Sequence, residues 1–140
     1  VGMVEASAID EKGIVHSLAL SASRALSALL EQDGVAQAIA RDGAVILLDG
    51  THNWLEGHTG GLPVTVRAKA DLDCASVAAA SVLAKVARDH VMVELAGEHP
   101  GYGFEGHKGY ASELHIKAIR TLGPSAVHRK TWLTKILSQG

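Results

Sequence analysis

Two aspartates, each at the end of a predicted strand, are the residues of this sequence best suited to metal chemistry. Asp49 ends the run 44–48, and Asp71 closely follows the run 63–69. If the two runs are neighbouring parallel strands, the carboxylates lie close together at the carboxyl edge of the sheet, where open α/β sheets bind ligands. Close carboxylates repel unless they share a cation or a proton, and oxygen ligands suit Mg²⁺ or Mn²⁺. The alternative is two ordinary turn residues, since Asp-Gly is a common turn.

Polar residues around the second aspartate extend this candidate site. On a strand, Lys69 points to the same face as Asp71, where it contacts a phosphate or simply balances the acids. Asp73 is interpreted as the N-cap of the helix that follows rather than as a ligand. On that helix Ser81 and Lys85 are one turn apart and suit contact with a backbone phosphate, although a structural serine and a solvated lysine explain them equally well.

A glycine-rich segment combines aromatic rings with positive charge. It runs Gly101-Tyr102-Gly103-Phe104 and continues to His107-Lys108-Gly109-Tyr110. Rings beside a lysine are typical of loops that stack on sugars or bases, and a packed surface loop is the alternative. The other histidines have no zinc-site spacing, and His16, His90 and His115 are expected on helix surfaces. No phosphate-binding P-loop, dinucleotide fingerprint or nucleophile elbow occurs.

Alternating helices and strands must position these residues. The continuous apolar run 44–48 predicts a strand buried on both faces, as in a parallel sheet, and residues 1–5 are expected to end another strand. Ser112 is the expected N-cap of a helix that ends at Gly123. The predicted helices cover 14–32, 35–41, 73 or 74 to 96, and 112–122. The long helix is predicted to pack tightly on the sheet through a face of small apolar residues, namely Ala75, Ala78, Ala79, Val82, Leu83 and Val86.

Composition narrows the class of protein. The chain has 140 residues, of which 47% are hydrophobic and 4% aromatic, so we expect one α/β domain over residues 1–140 with an aliphatic core. The single cysteine, Cys74, excludes a disulfide framework and favours a reducing cytoplasm. No apolar run approaches membrane-spanning length. The net charge is −2, but 107–140 holds six Lys or Arg and one acid, which suits a polyanion or an ordinary solvated helix.

Five segments taken together resemble ribonuclease HII, the type 2 ribonuclease H family. Their order and spacing also match, and Ile9-Asp10 with Gly13-Ile14 fit the same pattern. The segments are Val45-Ile46-Leu47-Leu48-Asp49-Gly50, Lys69-Ala70-Asp71, the helix 76–89, the loop from Tyr102 to Tyr110, and His128-Arg129-Lys130-Thr131-Trp132. The resemblance implies a ribonuclease H-like fold, a mixed central sheet flanked by helices, here with its last strands and C-terminal helices.

The same resemblance implies a metal-dependent endonuclease that acts in DNA replication and ribonucleotide excision repair. It would cleave RNA in RNA–DNA hybrids and at single ribonucleotides in duplex DNA. Asp49 and Asp71 match the third and fourth metal-site acids, which in the family hold two Mn²⁺ or Mg²⁺ ions and are catalytic. Tyr110 matches the tyrosine that packs on the sugar at the RNA–DNA junction. The other substrate-binding residues implied are Lys69, Ser81, Lys85, His128 and Arg129.

The family's first Asp-Glu pair has no counterpart in the sequence. It would precede Val1, because Glu5, Asp10 and Glu11 lie in a different motif. The resemblance therefore implies an N-terminally truncated version of the fold, with its first strands upstream. Three alternatives follow: an active monomeric enzyme, an inactive fragment that binds hybrid or metal weakly, and a non-catalytic interaction fragment. None of them involves a membrane.

Overall fold

The computed structural model describes residues 1–138, which form α-helices, two short β-strands and one 3-10 turn. The helices are α1 Ala6–Lys12, α2 Ile14–Leu30, α3 Val35–Asp42, α4 Ala70–Asp73, α5 Ala75–Glu98, α6 Phe104–His107, α7 Glu113–Leu122 and α8 Thr134–Leu137. The strands are β1 Ile46–Asp49 and β2 Val64–Arg67, and the 3-10 turn is Lys130–Trp132. The chain divides into two compact units: unit 1 comprises 1–4 and 12–84, and unit 2 comprises 5–11 and residues from 85 onward.

The sheet of unit 1 confirms the α/β class, and its two strands are the parallel neighbours on which the predicted proximity of Asp49 and Asp71 depends. β1 and β2 are parallel, with Ile46 opposite Val64 and Asp49 opposite Arg67. Burial on both faces was expected for β1 and is wrong, because only Leu48 is buried and Val45 is 57% exposed. Within residues 1–138 the sheet has no third strand. On the described residues β1 therefore has a neighbouring strand on one side only, and most of its side chains remain partly or fully exposed.

The first residues pack on a helix instead of forming the expected strand. Gly2 lies so close to α2 that an added Cβ would sit 1.9 Å from the carbonyl oxygen of Ser21, so only glycine allows the approach. The Arg24 side chain donates to the carbonyl of Met3 at 2.6 Å. α2 itself matches the predicted helix and buries Ser17 and Ala19.

The long helix α5 does not pack as predicted. None of its 24 residues is buried, and Val82, Leu83 and Val86 are 60%, 64% and 49% exposed. A helix of this length extends about 36 Å, whereas each described strand has only four residues. The small sheet therefore offers too little surface to cover it. No helix in the part of the chain that the structure describes is long and apolar enough to cross a membrane.

The core of unit 2 includes two rings of the glycine-rich segment. Tyr102, Phe104, Ile119 and Leu133 are buried together. Tyr102 and Phe104 stack at 5.5 Å between ring centres, and the Tyr102 hydroxyl donates to the carbonyl of Gly123 at 2.6 Å. The packed alternative is thus correct for these two rings, and they are unavailable for stacking on a ligand.

The helix that contributes Ile119 to this core, α7, begins and ends where the sequence predicts. The Ser112 hydroxyl accepts from the amide of His115 at 3.2 Å, and Gly123 follows the last turn of α7. The predicted N-cap of α5 is wrong. Cys74 takes that place, since its carbonyl accepts from the amide of Ala78 at 3.0 Å. The carboxylate of Asp73 instead pairs with a guanidinium.

Candidate functional site

The end of the sheet in unit 1 brings the two predicted metal ligands to neighbouring backbone positions. Asp49 is the last residue of β1, and its Oδ1 accepts a hydrogen bond from the amide of Ala70 at 2.9 Å. Ala70 is fully buried at the start of α4, and Asp71 is the next residue, exposed in the first turn. The hydrogen bond therefore anchors one carboxylate beside the backbone that carries the other. Their role as metal ligands stays a prediction.

A left-handed turn at Lys69 makes this arrangement possible. Lys69 has φ 58° and ψ 36°, a conformation that costs a non-glycine residue about 1–2 kcal/mol. β2 has ended at Arg67, so α4 starts almost directly after the strand. The prediction that Lys69 and Asp71 share one face of a strand is therefore wrong. Strained backbone of this kind is concentrated at functional sites, and the Lys69 side chain is exposed there.

An ion pair balances part of the acidic charge at this end of the sheet. Arg67, opposite Asp49 in the strand register, binds the carboxylate of Asp73 at 2.5 Å, and both side chains are about half exposed. The pairing removes Asp73 from the candidate ligands. The two remaining carboxylates offer the oxygen donors that Mg²⁺ and Mn²⁺ prefer.

The donor set on the described residues is nevertheless incomplete. Within 1–138, no group of three His, Cys, Asp or Glu side chains is placed to hold a metal ion. A hard divalent cation needs about six oxygen ligands, so Asp49 and Asp71 fit it by chemistry but supply only part of its shell. Water, substrate phosphate or further carboxylates would have to provide the rest.

Ser81 and Lys85 are both exposed on α5, Ser81 in unit 1 and Lys85 in unit 2. The Lys85 ammonium binds the carboxylate of Asp89 at 2.5 Å, and this hydrogen bond is the main reason that the pKa of Asp89 lies below its usual value. An exposed i,i+4 pair contributes only about 0.3–0.5 kcal/mol. A phosphate can therefore replace Asp89 as the partner of Lys85 at little cost.

Tyr110 is the one ring of the glycine-rich segment that remains exposed, at 63%. The Arg88 guanidinium lies 4.8 Å from the centre of the Tyr110 ring, within the range of a cation–π contact. Gly109 fits closely against α5, since an added Cβ would lie 3.0 Å from the Met92 methyl. Arg88 was not predicted from the sequence, although its spacing from Lys85 places both on one side of the helix.

His128 lies in the core of unit 2, whereas the sequence predicted a substrate contact. It is 7% exposed, its Nδ1 contacts the amide of Ser125 at 3.1 Å, and its Nε2 lies 3.0 Å from Nε2 of His115. Burial, followed by the nearby histidines, lowers the pKa of His128 to about 4. His115 is 5% exposed, so the prediction that it lies on a helix surface is wrong.

Arg129 lies over the Trp132 ring, with its guanidinium carbon 3.8 Å from the ring centre. Asp10 anchors the backbone between them, because its carboxylate accepts from the amides of Lys130 at 2.8 Å and Thr131 at 3.1 Å. A hydrogen bond from the Thr131 hydroxyl is the main cause that lowers the pKa of Asp10. Asp10 was set aside as a metal ligand because it lies in a different motif, and the contacts seen here could not be predicted, since its partners lie about 120 positions away.

Comparison with known proteins agrees with the motif pattern. Residues 3–135 match the family model described as Ribonuclease HII. A ribonuclease HII of Caulobacter vibrioides is 39% identical over 134 residues, which cover 94% of this chain and 56% of that protein. The one of Thermus thermophilus is 41% identical, with 93% and 57% covered, and that of Streptomyces avermitilis is 44% identical, with 89% and 48% covered. The chain thus spans about half the length of the curated relatives it matches.

Proposed function

The chain belongs to the ribonuclease HII family. From this we propose that it acts as an endonuclease, or as part of one, that hydrolyses the RNA strand of RNA–DNA hybrids. The proposal extends to cleavage at single ribonucleotides in duplex DNA, which leaves 5′-phosphate and 3′-hydroxyl ends. The observation that carries it is the hydrogen bond from the Ala70 amide to Asp49, directly before Asp71. Two carboxylates held in this way suit phosphodiester hydrolysis better than any other group on the described residues.

Asp49 and Asp71 are the residues that would hold Mg²⁺ or Mn²⁺. When bound, two such cations supply an activated water and stabilise the leaving 3′-oxygen. The chain's own contribution is positional. The Ala70 amide restricts rotation of the Asp49 side chain, and α4 fixes the backbone that carries Asp71.

We propose that the substrate-binding residues act in two ways. Tyr110 packs on the ribose whose 2′-hydroxyl distinguishes RNA from DNA, and Arg88 supports the Tyr110 ring. Cationic and hydroxyl side chains that are exposed or partly exposed contact backbone phosphates, which carry no sequence information and fix the register of the duplex. These side chains are Lys69, Ser81, Lys85 and Arg129.

The protein is proposed to act as a monomer in a reducing cytoplasm, where the free Cys74 persists.

Cleavage of a fluorescent DNA duplex with one ribonucleotide tests the function, with Mg²⁺ or Mn²⁺ present. We expect a cut on the 5′ side of the ribonucleotide. Asp49→Asn and Asp71→Asn should each lower the rate at least about a hundredfold, because each removes an ionised ligand. Asp42→Asn is the matched control, since Asp42 is exposed and paired with Arg41 at 2.7 Å, at the end of α3. Equal rates in all three variants would contradict the proposal.

A second function, hybrid binding without cleavage, is favoured by the incomplete donor set on residues 1–138. It predicts no product but tighter binding of a hybrid than of an all-DNA duplex, measured by fluorescence anisotropy. Cleavage that appears only after the family's Asp-Glu segment is joined to the chain would assign catalysis to the longer protein. Binding equal for both duplexes, without cleavage, would contradict both functions.

A further inference from the structure

Three histidines of unit 2, His107, His115 and His128, form a hydrogen-bonded cluster beside the glycine-rich segment. The rings of His107 and His115 stack 4.2 Å apart, and those of His115 and His128 are 5.2 Å apart. All six ring nitrogens have partners within the protein. The cluster is therefore built for internal hydrogen bonding, and its rings have no nitrogen free for a ligand.

The partners determine where each proton lies. A backbone amide can only donate, so the bond from the Ser125 amide leaves Nδ1 of His128 unprotonated and places the proton on Nε2. That proton is donated to Nε2 of His115 across 3.0 Å. His115 consequently carries its own proton on Nδ1 and donates it to the carbonyl of Tyr110 at 2.9 Å. Two neutral rings thus form one directed chain of hydrogen bonds that ends on Tyr110.

The third histidine, His107, holds Gly109, the residue before Tyr110, in the same way. The amide of Gly109 donates to Nδ1 of His107 at 3.1 Å, so His107 is protonated on Nε2 and donates to the carbonyl of Tyr102 at 2.7 Å. The amide of Tyr110 also donates to the carbonyl of His107 at 2.9 Å. The backbone on both sides of the exposed ring is therefore held by histidines.

We propose that His115 and His128 are positioning residues, which hold the Tyr110 backbone so that its ring meets the ribose of the substrate. The inference rests on the proposed function, because the ribose contact does. It assigns His128 an indirect role from the core in place of the direct substrate contact that the sequence predicted.

Protonation would break this network. A second proton on His115 makes two N–H groups face each other between His115 and His128. A second proton on His128 would lie on Nδ1 and face the amide of Ser125, so in either case one hydrogen bond is lost. Burial is the main cause that lowers the pKa of both rings, and it keeps them neutral near pH 7. No described carboxylate is hydrogen-bonded to the pair. The titratable groups that face it are His99 and His107, and those that line a shallow cavity beside His128 are Asp10, Glu11 and Lys130.

Two substitutions at His115 separate the positioning role from simple packing. In His115→Asn the side-chain amide occupies the place of Nδ1 and keeps a donor for the Tyr110 carbonyl, whereas in His115→Gln the amide occupies the place of Nε2 and loses it. NMR on the full chain reads the result at the amide nitrogen of Ala111, which shares a peptide group with that carbonyl. We expect this signal to shift in His115→Gln and to stay close to wild type in His115→Asn.

The second readout is the preference for a hybrid over an all-DNA duplex, measured with Ca²⁺ so that no strand is cut. We expect His115→Gln to lower the preference about fivefold, as for one lost hydrogen bond, and His115→Asn to restore most of it. His90→Gln, at an exposed position of α5, is the matched control and should change neither readout.

The two readouts distinguish the possible failures. An unchanged Ala111 signal in His115→Gln would overturn the hold on Tyr110. A shifted signal with an unchanged hybrid preference would overturn the link from Tyr110 to the ribose. A wild-type chain without any hybrid preference, but with the expected Ala111 shift, would instead contradict the proposed function.

Discussion

At the scale of single residues, burial separates the predicted substrate residues into two kinds. Lys69, Ser81, Lys85 and Tyr110 are exposed, so their side chains are accessible to a nucleic acid. His128 is buried, and its effect on a substrate has to pass through hydrogen bonds. A motif identifies both kinds equally well, because it records which residue types occur together and not which of them face the solvent.

The buried histidine predicts a pH dependence of stability. The pKa of His128 is about 6.5 in the unfolded chain, and burial lowers it to about 4 in the folded one. Between these values the unfolded chain binds a proton that the folded chain excludes. The free energy of unfolding should therefore be constant above pH 6.5, as far as this residue is concerned, and fall by up to about 1.4 kcal/mol per pH unit below it.

Urea denaturation between about pH 7.5 and about pH 5 measures this dependence. His128→Gln cannot take up the proton, so its stability should fall less steeply with acidification than that of the wild type. The exposed His90→Gln serves as the comparison and should keep the wild-type slope. An identical slope in His128→Gln would show that the ring does not titrate as its burial requires.

At the scale of elements, the sequence predicted what neighbouring residues determine and missed what depends on distant contacts. The parallel pair β1 and β2 and the capped helix α7 follow from local apolar runs and from Ser112 and Gly123. The exposure of α5 could not be predicted in this way. An apolar face on a helix suggests that another element covers it, but the residues of the helix do not show whether that element is present. The left-handed backbone conformation of Lys69 was also not predicted, since a positive φ is unusual for lysine and no sequence pattern indicates it.

The cap of α7 provides a direct test of local stabilisation. Ser112→Ala removes the hydroxyl that accepts from the amide of His115, and we expect the free energy of unfolding to fall by about 1 kcal/mol. Ser27→Ala, at an exposed position within α2, should change it by less than about 0.5 kcal/mol. Thermal or urea unfolding of the two variants distinguishes the effects, and equal stabilities would refute the assigned cap.

At the scale of the whole molecule, the chain combines a family match over most of its residues with an apolar face that is exposed on part of α5. Residues 3–135 match the family, yet the chain spans about half the length of its relatives. On the described residues Val82, Leu83 and Val86 expose their side chains on α5. Exposed apolar patches of this kind mark interaction surfaces or aggregation liabilities.

A charge placed on this face should reduce its affinity for hydrophobic probes. We expect Leu83→Glu to lower the fluorescence of a bound anilinonaphthalene dye and to change the free energy of unfolding by less than about 0.5 kcal/mol, because Leu83 is already 64% exposed. Leu114→Glu is the matched control, since Leu114 is 78% exposed on α7. Equal dye fluorescence in the two variants would show that α5 presents no special apolar surface.

The split of unit 2 along the chain has a consequence for the order in which the protein folds. Its first segment, Glu5–Glu11, is synthesised before residues 12–84 of unit 1. Asp10 in this segment binds Lys130 and Thr131, which follow it in the sequence by about 120 positions. Contacts so far apart close late, because their loop entropy must first be overcome. On the ribosome, residues 12–84 can thus fold early, while α1 lacks its partner until Lys130 and Thr131 have been synthesised.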